Sequence, residues 1–167
     1  MIVRAECHAD IAAVQSIHLP AFPEDGESRL VNRLRENAQP VISLVAEIDG
    51  KLVGHILFSP VTLDSSPSLK LMGLAPMAVL PSHQRQGIGS ALIDAGLTQC
   101  RVSQYGAVAV LGHADYYPRF GFTPSTHFAI KSQYDVPAEV FMIAELEKNY
   151  LNGCRGIISY HDEFKSL

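Results

Sequence analysis

The stretch that decides the fold is "HQRQGIGSAL", residues 83–92. Gly87 and Gly89 stand two apart, with a glutamine and an arginine before them and an apolar pattern directly after. Ile88, Ala91, Leu92 and Ala95 fall at i, i+3, i+4 and i+7, the spacing of one helix face. Bare backbone just before a helix lets a ligand approach the main chain closely. The helix start adds unpaired N–H groups at the positive end of its dipole, a combination suited to a diphosphate. The N–H groups of Arg85 to Ser90 make up that set, and the Arg85 side chain can add a charge-assisted bond. A helix entry that merely needs tight turns is the alternative reading of the same glycines. The P-loop is set aside, because Gly89 is followed by Ser90 and Ala91 rather than by Lys and Ser or Thr. The dinucleotide fingerprint needs a third small residue where this chain has Leu92.

Working outward, "LMGLAPMAVLP" before this stretch reads as a strand, and Pro76 inside it argues for an edge or a bulge. "AVAVLG" after the helix reads as a buried strand, giving a strand-helix-strand unit over residues 71–111. Further upstream, two β-branched runs flank Asp49-Gly50, a dipeptide suited to a type I′ hairpin turn. Residues 64–70, rich in serine and proline, read as a loop. "MIVRAE" is a first strand; Asp10 is placed to cap a helix that runs to Pro20, and a second helix is expected from Glu24 to Asn37. "HADYYPRFGF" reads as a short helix that Gly121 ends. Strands are expected near Phe128 to Lys131 and at Val140 to Leu146. The pattern is α/β in alternation, with a mixed sheet of the α+β kind and helices on both faces. With 167 residues and no linker or repeat, residues 1–167 read as one domain.

Composition bounds the function. The chain is 47% hydrophobic and 18% charged, which excludes disorder. No apolar run reaches a membrane span, and the charged N-terminus is unlike a signal peptide, so a cytoplasmic protein is expected, with no membrane partner. Three cysteines without paired spacing read as reduced packing residues. Seven histidines make no metal motif, so no metal is expected. A formal net charge of -4 gives no electrostatic case for nucleic acid.

"PMAVLPSHQRQGIGSAL", followed later by "YYPRFGF", resembles the GNAT family of acetyl-CoA-dependent N-acyltransferases, of the bacterial stand-alone type. The family pattern Q/R-x-x-G-x-G/A appears as Gln84-Arg85-Gln86-Gly87-Ile88-Gly89, with Ser90 next. The family also places a tyrosine in a short helix ending in Gly-Phe, here Tyr117 with Gly121-Phe122. The resemblance covers roughly residues 40–125. It implies a central sheet splayed between the fourth and fifth strands, with acetyl-CoA as co-substrate in the wedge. The backbone of Met77, Ala78 and Val79 would pair with pantetheine like an added strand. A backbone N–H near Val79 would stabilise the oxyanion. Tyr117 would donate a proton to the departing thiolate. Tyr116 is the neighbouring competitor; family register favours Tyr117, and packing beneath the last helix suits Tyr116.

The base is open. The expected strand at residues 107–111 is apolar, where some family members carry glutamate, and "GHADYY" lacks the asparagine of several. His113, Glu47, His55, Glu24, Asp25 and Glu27 are candidates, each with a solvated or structural alternative. The acceptor, a small-molecule or protein amine, would meet residues 20–37 and 127–147, where "FPEDGE" concentrates acid. The implied activity is acetyl transfer to a primary amine; the alternative is a non-catalytic acyl-CoA-binding sensor. Monomer and homodimer both fit.

Overall fold

The computed structural model describes residues 1–21 and 26–166. The chain runs β1 (Ile2–Ala5), α1 (Ile11–Ala21), α2 (Gly26–Asn37), β2 (Ile42–Ile48), β3 (Lys51–Leu63) and β4 (Leu71–Val79). It continues through α3 (Ile88–Val102), β5 (Ala107–Leu111), β6 (Thr123–Pro124), β7 (Ile130–Ser132), β8 (Phe141–Glu145) and β9 (Gly156–Ser159). The main sheet has the order β1-β2-β3-β4-β5-β8-β6, and β9 bridges the far end of β3 to β7. All neighbours are antiparallel except the parallel pairs β4–β5 and β7–β9. This is the mixed sheet expected from the sequence.

Strand alternation divides the core into two layers. Ile56, Phe58 and Met72 point toward α3, where Ile88, Leu92, Ile93 and Cys100 meet them. Leu57, Val61 and Leu71 point the other way, onto Leu30 and Leu34 of α2 and onto Ile158, Tyr160 and Phe164 of the C-terminal segment. Helices thus cover both faces. Asp49 and Gly50 have φ of 51° and 79°, as a type I′ turn requires.

Pro76 resolves as a bulge within a central strand. Ile56 pairs with Met77 and Phe58 with Leu74, so Ala75 and Pro76 together oppose Leu57. A proline cannot donate to a ladder, and the extra residue absorbs that defect while bending the strand.

Three expectations are corrected. Asp10 does not cap α1 from in front. It closes a 3-10 turn over His8–Asp10, its carboxylate accepting from the Cys7 N–H at 2.8 Å and from Arg4 at 2.7 and 3.0 Å. Pro20 lies inside α1 rather than ending it. The short helix after β5 is a single 3-10 turn over Tyr117–Phe120, which Gly121 ends at φ 92°. Glu24 and Asp25, expected at the start of the second helix, lie outside the described residues, as do Phe22 and Pro23.

Candidate functional site

β4 and β5 pair through Leu71–Ala107, Met72–Val108 and Gly73–Ala109, and there the ladder stops. β4 continues six residues further to Val79, and β5 two further to Leu111. The bulge at Pro76 turns β4 away from its neighbour. A seam therefore opens within the sheet, with Gly73 and Ala109 at its vertex. Past the vertex, the edge of β4 that faces β5 has main-chain groups without ladder partners, while its other edge stays bonded to β3 up to Val79. Met77, Ala78 and Val79 lie on this open stretch.

The loop from Leu80 to Gly87 carries the chain from the top of β4 to the start of α3. Arg85 and Gly87 both have positive φ, 62° and 82°. Left-handed residues alternating with ordinary ones turn successive N–H groups to the same side and make an anion-binding concavity. Gly87 adopts its conformation freely and Arg85 at a cost. No side chain caps Gly87. The first intrahelical bond runs from the Ala91 N–H to the Gly87 carbonyl, so the amides of Ile88, Gly89 and Ser90 precede the helical ladder. A hollow of about 420 Å³ lies against them. Gln84, Arg85, Gly87, Ile88, Gly89 and Ser90 line it together with Val79. Gln86 is exposed and does not line it. The Gln84 amide is spent on the Val79 carbonyl at 3.1 Å, tying the loop to the top of β4.

The two tyrosines exchange the environments expected for them. Tyr116 is half-buried on the rim of the hollow, its hydroxyl 3.2 Å from Ser90 Oγ, with the Arg119 guanidinium 4.9 Å above its ring. Tyr117 is the packed one, 7% exposed, wedged on Gly112 and edge-on to Phe122. Burial, with Tyr116 beside it, pushes its phenol up to about 12. It is thus a donor at neutral pH. Tyr116 and Arg119 were missed as lining groups; their spacing from Tyr117 around one turn was the available signal.

The candidate bases are scattered. His113 is exposed, and Glu47 stands 3.5 Å from Arg4 near the β1 edge. Glu27 sits in the first turn of α2. His55 is fully buried within a polar chain that the sequence did not reveal. Its Nε2 is 2.7 Å from Ser43 Oγ and 3.2 Å from Glu6, and its Nδ1 is 2.8 Å from His18 Nε2. Ser43 also donates to Glu6, which pairs with Arg35 at 2.6 Å. Burial pushes the His55 imidazole down, against the opposing pull of Glu6. Burial also takes His18 down to about 3, helped by His55. Burial alone would raise the Glu6 carboxyl, but its bonds to His55 and Ser43 more than offset this and hold it below its ordinary value. The chain ends at a cavity of about 680 Å³ lined by Glu6, Cys7, Arg35 and Ser43, beside β1 and away from the seam.

An open parallel seam beneath a left-handed loop and a free helix start offers unpaired backbone to an extended ligand with an anionic head. Comparison with known proteins shows the family. Residues 11–122 match the model of the Acetyltransferase (GNAT) family. The N-acetyltransferase YhbS of Escherichia coli is 32% identical over 165 residues, 98% of each chain. YhbS crystallised with CoA superposes with a TM-score of 0.92 at 31% identity, over 98% of this chain and 91% of that one. A GNAT acetyltransferase of Brucella melitensis, in complex with acetyl-CoA, superposes at 0.80 with 32% identity, over 98% and 97%. The chain belongs to the GNAT family and is an acetyltransferase. No helix among the described residues is long and apolar enough to cross a membrane.

Proposed function

We propose that the protein binds acetyl-CoA along the seam and transfers its acetyl group to a primary amine by direct attack on the thioester. One observation carries this reading: the β4–β5 ladder ends at Gly73 and Ala109, just where an extended ligand descending from the α3 N-terminus would need unpaired backbone. The diphosphate would rest on the amides of residues 85–90. From Val79 to Gly73 the open strand offers about 20 Å of backbone at 3.3 Å per residue. Pantetheine amides laid along it would pair with Met77, Ala78 and Val79 as an added strand does. The CoA and acetyl-CoA bound by the relatives' structures support this assignment.

The amine nitrogen attacks the thioester carbon, the C–S bond breaks, and over the whole reaction one proton leaves nitrogen and one reaches sulfur. The phenol of Tyr117, held protonated by burial, is suited to donate to the departing thiolate. A backbone N–H on the open edge near Val79 would stabilise the oxyanion. The deprotonating group is water or a side chain of the acceptor wall. β5 is apolar throughout and supplies no carboxylate.

Incubation with acetyl-CoA and a panel of amines and peptides, following free thiol, tests the proposed transfer to a primary amine. Thiol release with an amine supports transfer. Acetyl-CoA binding with no thiol release from any primary amine would overturn the primary-amine reading.

A further inference from the structure

Arg119 brings to the hollow at the α3 N-terminus a charge that no carboxylate answers. It is exposed and stands on the 3-10 turn Tyr117–Phe120, an element separate from the loop that supplies the amides. Among the described residues its guanidinium makes no ion pair and donates no hydrogen bond; it rests over the Tyr116 ring at 4.9 Å. That ring is itself fixed. It lies edge-on to Tyr117 at 5.2 Å and to Phe120 at 5.3 Å, and its hydroxyl is 3.2 Å from Ser90 Oγ. Stacking occupies the flat face of a guanidinium and leaves its in-plane N–H donors available, in the fork that suits a phosphate.

The surrounding charge points the same way. His83, Arg85 and Arg119 all line the hollow of about 420 Å³, and no Asp or Glu does. The patch is cationic on a chain whose formal net charge is -4. The amides of residues 85–90 and the Arg85 side chain account for a diphosphate. Arg119 is additional to that set and is set apart from it, because the Tyr116 ring stands between its guanidinium and Ser90. The complement is a ligand with a second anionic group, held about one sugar away from the diphosphate.

We propose that Arg119 holds the 3′-phosphate of coenzyme A and makes the protein select the fully phosphorylated coenzyme over its 3′-dephospho form. The inference rests on the acyl-CoA reading above. The ribose of coenzyme A carries the diphosphate on its 5′ oxygen and a phosphomonoester on its 3′ oxygen. With the diphosphate on the loop amides, a ribose beside Tyr116 turns the monoester toward the guanidinium fork. Tyr116 is the positioning residue: it acts on the ligand through Arg119. The pair is exposed to solvent, so the discrimination is screened by salt.

The test is calorimetric titration with CoA and with dephospho-CoA at low ionic strength, on wild type, R119Q and R85Q. Wild type should bind dephospho-CoA about tenfold more weakly than CoA. R119Q should bind the two ligands with nearly equal Kd, having lost affinity for CoA alone. R85Q should weaken both ligands and keep their ratio, because both carry the diphosphate. Arg85 and Arg119 are exposed, so both variants should fold, which melting temperatures check. Equal wild-type affinity for CoA and dephospho-CoA overturns the inference. An R119Q that weakens both ligands alike also overturns it and assigns Arg119 to the diphosphate. Either result leaves CoA binding intact and defeats this inference alone; failure of wild type to bind CoA defeats the acyl-CoA reading along with it.

Discussion

Gly87 and Gly112 constrain the site in different ways. At Gly87 nothing lies within 4 Å of where a Cβ would stand, so the requirement for glycine is conformational: φ is 82°. Gly87→Ala should cost about 1 kcal/mol of backbone strain. The chain relieves that strain by turning the loop amides away, so the expected outcome by titration is a Kd for CoA raised several-fold with little change in kcat. At Gly112 the constraint is steric, because a methyl group would collide with the Tyr117 ring. Gly112→Ala should therefore displace Tyr117 and lower kcat while CoA binding persists. Tyr117→Phe removes the hydroxyl proposed as proton donor while keeping the ring; kcat is expected to fall by about 100-fold. Unchanged kcat in Tyr117→Phe across pH would remove Tyr117 from the acid role. The motif marks Gly87 and Tyr117 in the sequence, but nothing in it marks Gly112. It did not give the exchange of environments between Tyr116 and Tyr117. Adjacent residues in a tight turn point about a third of a circle apart, and neighbours distant in sequence, Ser90 and Phe122, decide which is buried.

Among the elements, those with local determinants were legible and those made by pairing were not. Asp49-Gly50 specifies its own turn, and Ile88, Leu92 and Ala95 specify their helix. β9 is only four residues long, and β6 two. Such short segments carry no period of their own and become strands only because β3, β7 and β8 are there to receive them. Asp10 reads as a forward cap by position, yet Arg4, brought close by β1, draws its carboxylate backward. α3 depends on one close approach that the hydrophobic pattern conceals. A Cβ on Gly96 would overlap the Phe58 ring, so Gly96→Ala trades a better helix former for an overpacked core. The overlap should win, with a loss of about 1–3 kcal/mol seen in urea unfolding.

At the scale of the whole molecule, the chain of Arg35, Glu6, Ser43, His55 and His18 joins β2, β3, α1, α2 and the residue that follows β1. No sequence window contains it; the topology alone assembles it. Its groups set the acid limit of stability. The His18 imidazole is held near 3 when folded, against an ordinary value of 6.5, so the unfolded chain binds a proton that the folded chain refuses. Unfolding then takes up protons, and stability falls as pH drops from about 6.5 toward 3. His55 is depressed likewise. Glu6 is also lowered, so its contribution is present above its ordinary value near 4.5 and lost below it. All three act in one direction. Urea unfolding between pH 7.5 and 4.5 should show stability declining by about 1.4 kcal/mol per pH unit for each histidine in its window. A flat profile would show that the histidines take up protons in the fold as readily as in the unfolded chain.

The central claim is that the open edge of β4 and the amides before α3 together hold acyl-CoA. Backbone amide hydrogen exchange, measured with and without saturating acetyl-CoA, tests it most directly. The prediction is strong slowing of exchange at residues 77–79 and 85–90, with little change at the β1 edge. Saturable binding that leaves those amides exchanging at their free rates would contradict it.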